Sequence, residues 1–553
     1  MELPIGLVQS LKESLPEDGS CKPPLNTDVA SKENYRQSRA WMAECQAKHA
    51  SCRGSGRGYM PNRVLKITHR GTRVRLLETK GEYTEKYAAL SYCWGKGTNF
   101  VTTKASLKRR LSGITIARLP RTIRHAIEAT HNLGLKYLWV DSLCILQPEM
   151  ANAEDESVED PVSAADMIKE IPNMAAIYRG AYVTLSAACA ESCEAGFLRA
   201  RRPALAAIPN VFPDGKVGVL FLYQVFGIVP EPIHKRAWTL QEHVESSRIL
   251  EFGTQQLRRI CRGGYNDADD LDRDHPMFRH HDPISMSMSV ENLAAESERV
   301  LKDWRVLVRD YTNRRITLFT DRPLAIKSIA LAYEKLLGLT NVFGLWDPST
   351  PTNTPRWQQP RPPQSPAAEL LWHRSSGSNA TSRLEDWSMP SWSWFSLPNN
   401  VITWSQWSYG LEQHDCMVNF WQSTGGTSQL RGTDGLRVLE ITGCVRDARW
   451  HFREKLSFLT AHEGGEPVAE MIHDSLEDLS DAEWNDRACL VTTMEILSGA
   501  FGSQWCSVGL VLVEAQDGRS YRRVGVFHAT SKTTEDECAR WLEKSRHDRI
   551  LVI

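Results

Sequence analysis

Trp238 and Glu242 in RAWTLQE (236–242) stand four residues apart, a spacing that sets both side chains on one face of a helix. The stretch has two readings. It is the start of an ordinary amphipathic helix with a solvated acid, or a carboxylate set beside an aromatic wall for a chemical purpose. SYCWG (91–95) offers a second set, with the hydroxyl of Ser91, the rings of Tyr92 and Trp94, and Gly95. Such residues suit stacking on a nucleobase or sugar, with the glycine allowing close backbone approach. They suit equally a Trp94 that plugs the end of a sheet. Asp141 and Ser142 interrupt the otherwise apolar KYLWVDSLCIL (136–146). A carboxylate there is costly unless it is paired or near the exposed end of a strand, so capping a loop and contacting a ligand are equal alternatives.

Two further groups have metal-ligand character. Cys45-x3-His49-x2-Cys52 holds three zinc-type ligands, whereas a structural site needs four. Cys21 is a candidate fourth, but no second pair of matching spacing follows. The three therefore read as packing residues around a local helix contact, and no metal is expected. Asp269, Asp270, Asp272 and Asp274 can hold Mg2+ and a diphosphate, because hard cations take carboxylate oxygens. Their stretch is polar and lacks a helical period, which makes a solvated loop the expectation. No G-x-G-x-x-G, G-x-x-x-x-G-K-[ST] or H-E-x-x-H pattern occurs, so dinucleotide redox, P-loop and zinc-protease chemistry lack support.

The elements that must position these groups follow from periodicity. YAALSYCW reads as a strand. Leu119–Leu133 reads as a helix, with Pro120 in its first turn, Gly134 past its end and an apolar face of Ile123, Ala126, Ile127, Thr130 and Leu133. KYLWVDSLCIL reads as a strand covered on both faces. Met167, Ile168, Ile171, Met174, Ile177 and Tyr178 return to helical spacing, which Pro172 should kink or delay. AYVTLSAA (181–188) is the next strand. This alternation predicts a parallel α/β sheet with right-handed crossovers. In such sheets ligands bind outside the carboxyl ends of the strands, which is where SYCWG falls.

Around that region, residues 1–35 read as a loosely attached arm. WMAECQAKHASC (41–52) reads as a short helix, and RVLKI (63–67) and TRVRLLET (72–79) as strands. PEMANAEDESVEDPVSAAD (148–166) reads as an acidic surface loop. VGVLFLYQVFGIV (217–229) reads as a buried strand pair or core segment; a bilayer span takes roughly 20 apolar residues. Helices are expected near 290–311 and 322–337, then a proline-rich linker at 347–366, and β-rich structure from about Leu370. The expected division is an arm with a small subdomain at 1–86, an α/β domain at 87–261, a helical extension at 262–346, a linker at 347–369 and a β-rich part at 370–553.

The 553 residues are 41% hydrophobic and 24% charged, as in a folded chain of two or three domains. A net charge of -1, from 66 basic and 67 acidic residues, argues against nucleic acid or membrane held by bulk charge. Thirteen scattered cysteines, with no secretory apolar run in the first twenty residues, imply reduced thiols and a cytoplasmic location.

Four blocks in order, YAALSYCWG, LPRTIRHAIEATHNLGLKYLWVDSLCILQ, MAAIYRGAYVTLSAACAESCEAGFL and RAWTLQEHVESSRILEF, closely resemble the heterokaryon-incompatibility (HET) domain of filamentous fungi. The Cys45/His49/Cys52 stretch, DWRVLVRDYTNRRIT, DRPLAIKSIA and PSWSW resemble flanking parts of the same proteins. The resemblance implies self/non-self recognition and programmed cell death, with self-association or a second incompatibility protein as partner. The likeness of HET domains to TIR domains implies a flavodoxin-like parallel sheet with flanking helices. Some TIR domains cleave NAD+, and Trp238-x-x-x-Glu242 resembles their pattern with a catalytic Glu. This implies Glu242 as the catalytic residue and Ser91, Tyr92, Trp94, Gly95, Asp141, Ser142 and Trp238 as substrate contacts. NAD+ would be a substrate, with no bound cofactor. The chain departs from the family at Pro148, Glu149, Pro172 and Ala237 and in its acidic loop. Two alternatives stand beside this reading: a non-enzymatic signalling scaffold, and an acid-assisted cyclase of secondary metabolism using a pocket built from some of the 18 Trp residues.

Overall fold

The structure is a computed structural model. It describes residues 5–10, 27–52, 59–68, 71–81, 85–95, 100–149, 160–201, 206–211, 217–224, 231–262, 264–265, 293–347, 369–375, 389–397 and 401–404, and, further on, 412–413, 417–421, 438–453, 456–460, 467–474, 488–496, 505–515, 517–531 and 546–553. The chain divides into two compact units, Met1–Ser285 and Met286–Ile553. No described helix is long and apolar enough to cross a membrane.

The first unit starts with β1 (Ile5–Ser10), α1 (Lys32–Lys48), β2 (Arg63–Thr68), β3 (Arg73–Glu78) and β4 (Tyr87–Ser91). It continues with α2 (Lys104–Ser112), α3 (Arg121–Asn132), β5 (Tyr137–Trp139), α4 (Asp141–Cys144), α5 (Pro161–Glu170), α6 (Met174–Gly180) and β6 (Val183–Ser186). Last come β7 (Ala206–Val211), β8 (Val217–Gln224), α7 (Trp238–Glu245), β9 (Arg248–Phe252), β10 (Leu257–Cys261) and β11 (Gly264–Tyr265).

Eight strands form one sheet in the order β11-β10-β9-β6-β4-β5-β2-β3. Its centre, β9-β6-β4-β5, is parallel, and both flanks are antiparallel. Every residue of β4, β5, β6 and β9 is buried, as expected of apolar parallel strands covered on both faces. Helix α3 supplies part of that cover through Ile123, Ala126 and Ile127, with Pro120 directly before its first turn. The chain runs from β4 to β5 on one side and later places β6 on the other, so the winding direction reverses at β4.

Several sequence expectations need correction. Only Tyr137–Trp139 of KYLWVDSLCIL is strand. Asp141 accepts the Ser142 N–H at 2.6 Å, and this local bond turns the chain out of the sheet into α4. Residues 1–35 are more than an arm, because β1 pairs antiparallel with β8 and α1 starts within them. Ser31 caps α1 by accepting the Asn34 N–H at 3.2 Å. The acidic stretch ends in helix, with Asp160 capping α5. Pro172 splits the expected single helix, since α5 and α6 are separated by the 3-10 turn Ile171–Asn173. VGVLFLYQ forms β8, between β1 and β7. Residues 225–230, Cys21 and the Asp269–Asp274 cluster lie outside the described residues.

The second unit has helices α8 (Leu293–Asn313) and α9 (Arg322–Leu337), near the expected bounds. Its nine-stranded sheet is built on the long strand Val438–Arg453, in keeping with a β-rich part. Trp304, Trp346, Trp372, Trp392 and Trp394 are almost wholly buried, and Trp304 meets Trp346 edge-on at 5.1 Å. These tryptophans belong to the buried core.

Candidate active site at the carboxyl edge of the parallel sheet

β4 ends at Ser91, and Tyr92-Cys93-Trp94-Gly95 leaves the sheet at the point of reversal. Ser91 stands in register with Ser186 of β6, and Ser186 with Glu251 of β9. These three, with His234, Thr239 and His243, line a small cavity of about 260 Å3, its open mouth included. Its interior holds about one water molecule, and Glu242 is not among the residues that line it.

Helix α7 carries Glu242 to this edge. The Thr239 hydroxyl donates to Ile233 O at 2.6 Å and to Arg236 O at 2.8 Å, which fixes the first turn. Ser246 Oγ donates to Glu242 O at 2.6 Å and holds the last. Glu242 is 5% exposed, and its Oε2 accepts no hydrogen bond among the described residues. Burial pushes its carboxyl up to about 7. The Ser91 hydroxyl, the Arg236 charge and the Tyr178 hydroxyl pull it back down, while Asp141 pushes it further up.

The remaining candidates form a hydrogen-bonded string. Trp94 Nε1 donates to Asp141 Oδ2 at 2.8 Å, and Tyr92 Oη donates to Ser142 Oγ at 2.9 Å. Arg236 donates to Tyr92 O. Burial raises the Asp141 carboxyl against the opposing pull of Arg236 and Trp94. Tyr92 and Tyr178 are driven well above the ordinary phenol value, chiefly by burial, and so stay neutral donors. Tyr92 is buried, which removes it as a stacking surface and leaves half-buried Trp94 in that position. Gly95 has φ +83°, and a Cβ there would stand 2.4 Å from Ser192 Cβ. Its freedom is spent passing Ser192. Trp238 packs half-buried against the core.

The structure therefore brings Ser91, Tyr92, Trp94, Asp141, Ser142 and Glu242 to one edge, and it adds residues that sequence reasoning passed over. Arg236 had a visible signal, because it opens the RAWTLQE stretch. Tyr178 was counted only as an apolar helix position. Glu251 and His234 gave no signal. Glu251 is fully buried, 3.2 Å from His234 Nε2 and 2.8 Å from Arg258 Nη1. Burial acts to raise its carboxyl, but His234 and then Arg258 outweigh that and hold it well below the usual range. The edge thus carries two glutamates driven apart in protonation, the pattern that separates acid from base in many sites.

The expectation for Cys45, His49 and Cys52 also changes. A fourth ligand-type side chain does join them, and it is Cys261 at the end of β10.

Residues 87–242 match the family model described as "Heterokaryon incompatibility protein (HET)". The match opens on Tyr87, the first residue of β4, and closes on Glu242. No curated protein and no solved structure matches the chain.

Proposed function

We propose, from the premise that residues 87–242 are a HET domain, that this chain acts in fungal self/non-self recognition and cell death by cleaving NAD+ at the carboxyl edge of β4 and β6. The carrying observation is Glu242, a buried carboxyl with one oxygen unengaged among the described residues, beside the Ser91 hydroxyl where the winding reverses. Counted along the chain, the parallel strands lie in the order 2-1-3-4. That order is shared with flavodoxin-like sheets, whose ligands sit at the reversal.

The chemistry follows from the residues. Breaking the nicotinamide–ribose bond leaves a cationic ribose and a neutral nicotinamide, so no acid is needed on the leaving group. Glu242, when ionised, stabilises that cation. Water then adds to give ADP-ribose and a proton. Trp94, half-buried at the same edge, offers a stacking face for the base. Because the Glu242 carboxyl titrates near 7, the rate should climb as pH rises through that value. The reduced thiols of the first unit suit a cytoplasmic setting.

The test is nicotinamide release from millimolar NAD+ by the purified full chain at high protein concentration. Glu242→Gln is expected to slow release at least ~100-fold with circular dichroism unchanged. Equal release by the variant removes Glu242 from the reaction. A wild-type chain that releases nothing, yet changes oligomer size with NAD+, would support the scaffold reading instead.

A further inference from the structure

Outside the HET match, a second group of chemistry-bearing side chains converges. Cys45 lies in the last turn of α1. His49 follows as its C-cap, with its N–H on Cys45 O at 3.0 Å, and the 3-10 turn Ala50–Cys52 bends Cys52 back, with its N–H on His49 O at 3.1 Å. The turn aims three side chains the same way. Strand β10, which packs against α1, ends on Cys261 and delivers a fourth. The four ligand atoms all lie within 4.8 Å of one another, and His49 Nδ1 is 3.3 Å from Cys261 Sγ.

The geometry points to a structural zinc site formed by Cys45, His49, Cys52 and Cys261. Three thiolates and one imidazole make the Cys3His donor set of closed zinc sites, and zinc in such sites is tetrahedral. With Zn–S bonds of about 2.3 Å, tetrahedral sulfurs stand about 3.8 Å apart. The widest separation, within 4.8 Å, exceeds that by about an ångström. Cys45 and Cys52 are 1% and 0% exposed, and Cys261 is 8% exposed. The three sulfurs are thus nearly closed to water, with half-buried His49 at the rim, and four ligands leave no open position for substrate. Zinc with three thiolates carries one net negative charge. Fully buried Arg248 sits where a compensating cation belongs, with Nη1 3.7 Å from Cys45 Sγ and 3.2 Å from Cys52 O. A donor that touches a ligand sulfur from outside the metal orients that ligand and tunes its charge. This is the one such group of three or more His, Cys, Asp or Glu side chains among the described residues. Loading exchanges three thiol protons for one Zn2+ with no change of oxidation state. The ion would cross-brace α1 to the sheet edge at β10.

The full chain, purified from cells grown with zinc and without chelators, is expected to carry about one zinc per chain by mass spectrometry of metals. Replacement by Co2+ should give the visible d–d bands and thiolate charge-transfer absorption of a tetrahedral sulfur-rich site. Cys261→Ser and His49→Ala should each lower metal content and cobalt absorption. Should Cys261→Ser fail to fold, the wild-type cobalt spectrum decides by itself. A chain that keeps less than a tenth of an equivalent of zinc and gives no tetrahedral cobalt spectrum overturns the site. So does a Cys45–Cys261 or Cys52–Cys261 disulfide found by peptide mapping of natively purified protein.

Discussion

Glu242 and Glu251 are both buried glutamates of the first unit, one on α7 and the other on β9, and both belong to the same sheet edge. Their environments give opposite results. Glu242 meets hydroxyls from Ser91 and Tyr178 and a more distant Arg236 charge, and its carboxyl climbs to about 7. Glu251 meets His234 at 3.2 Å and Arg258 at 2.8 Å and stays ionised. Equal burial does not set the charge; a cation in direct contact does. The fold pairs both oxygens of Glu251 and, among the described residues, leaves Glu242 Oε2 without a hydrogen bond.

That contrast can be broken most forcefully at Arg258. Arg258→Met removes a cation from a carboxylate that is fully buried, and such losses cost roughly 3–5 kcal/mol. Urea unfolding at neutral pH should show it, and a loss below ~1 kcal/mol would mean that His234 suffices alone. The next effect is the pH dependence of stability. The folded Glu242 carboxyl titrates near 7 against an ordinary 4.5, so between those values the folded chain binds the extra proton. Stability then falls as pH rises, by about 3 kcal/mol in all. Glu251 acts in the opposite sense: its lowered value contributes stability above about pH 4.5 that is lost on acidification. Glu242→Gln should abolish the alkaline decline and leave the acid limb, as read from unfolding midpoints between pH 4 and 8. A variant with the wild-type slope would detach that decline from Glu242.

The smallest effect is at Trp94. Trp94→Phe deletes the N–H that reaches Asp141 Oδ2, for about 1 kcal/mol of stability. Asp141 then protonates more easily, and its repulsion of Glu242 weakens. The Glu242 titration, followed by carboxyl carbon NMR, should shift down by a fraction of a pH unit. An upward shift would reverse the assigned role of Asp141.

Much of this was legible in the chain itself, for reasons that are local. The spacing of Ile123, Ala126 and Ile127 gave α3, the apolar runs gave β4 and β6, and Pro172 gave the break between α5 and α6. The position of SYCWG after a strand placed it at the carboxyl edge of the sheet. What stayed hidden was non-local. Cys261 joins Cys45 and His49 across 212 residues of chain, and no spacing rule reaches that far. Glu251 looks like any strand residue until His234 and Arg258 are seen around it. The strand expected over 136–146 stops early for the reverse reason: the bond from the Ser142 N–H to Asp141, a local effect, outweighs the strand propensity of the neighbours.

The pairing of β1 with β8, and of α1 with β10, has a consequence in time. During synthesis, residues 5–52 emerge some two hundred residues before residues 217–261. At about 5–20 residues per second they wait roughly 10–40 s for their partners. The parallel strands between them also assemble from distant segments, a slow class of folding. The earliest part of this unit to be made is thus among the last to be locked.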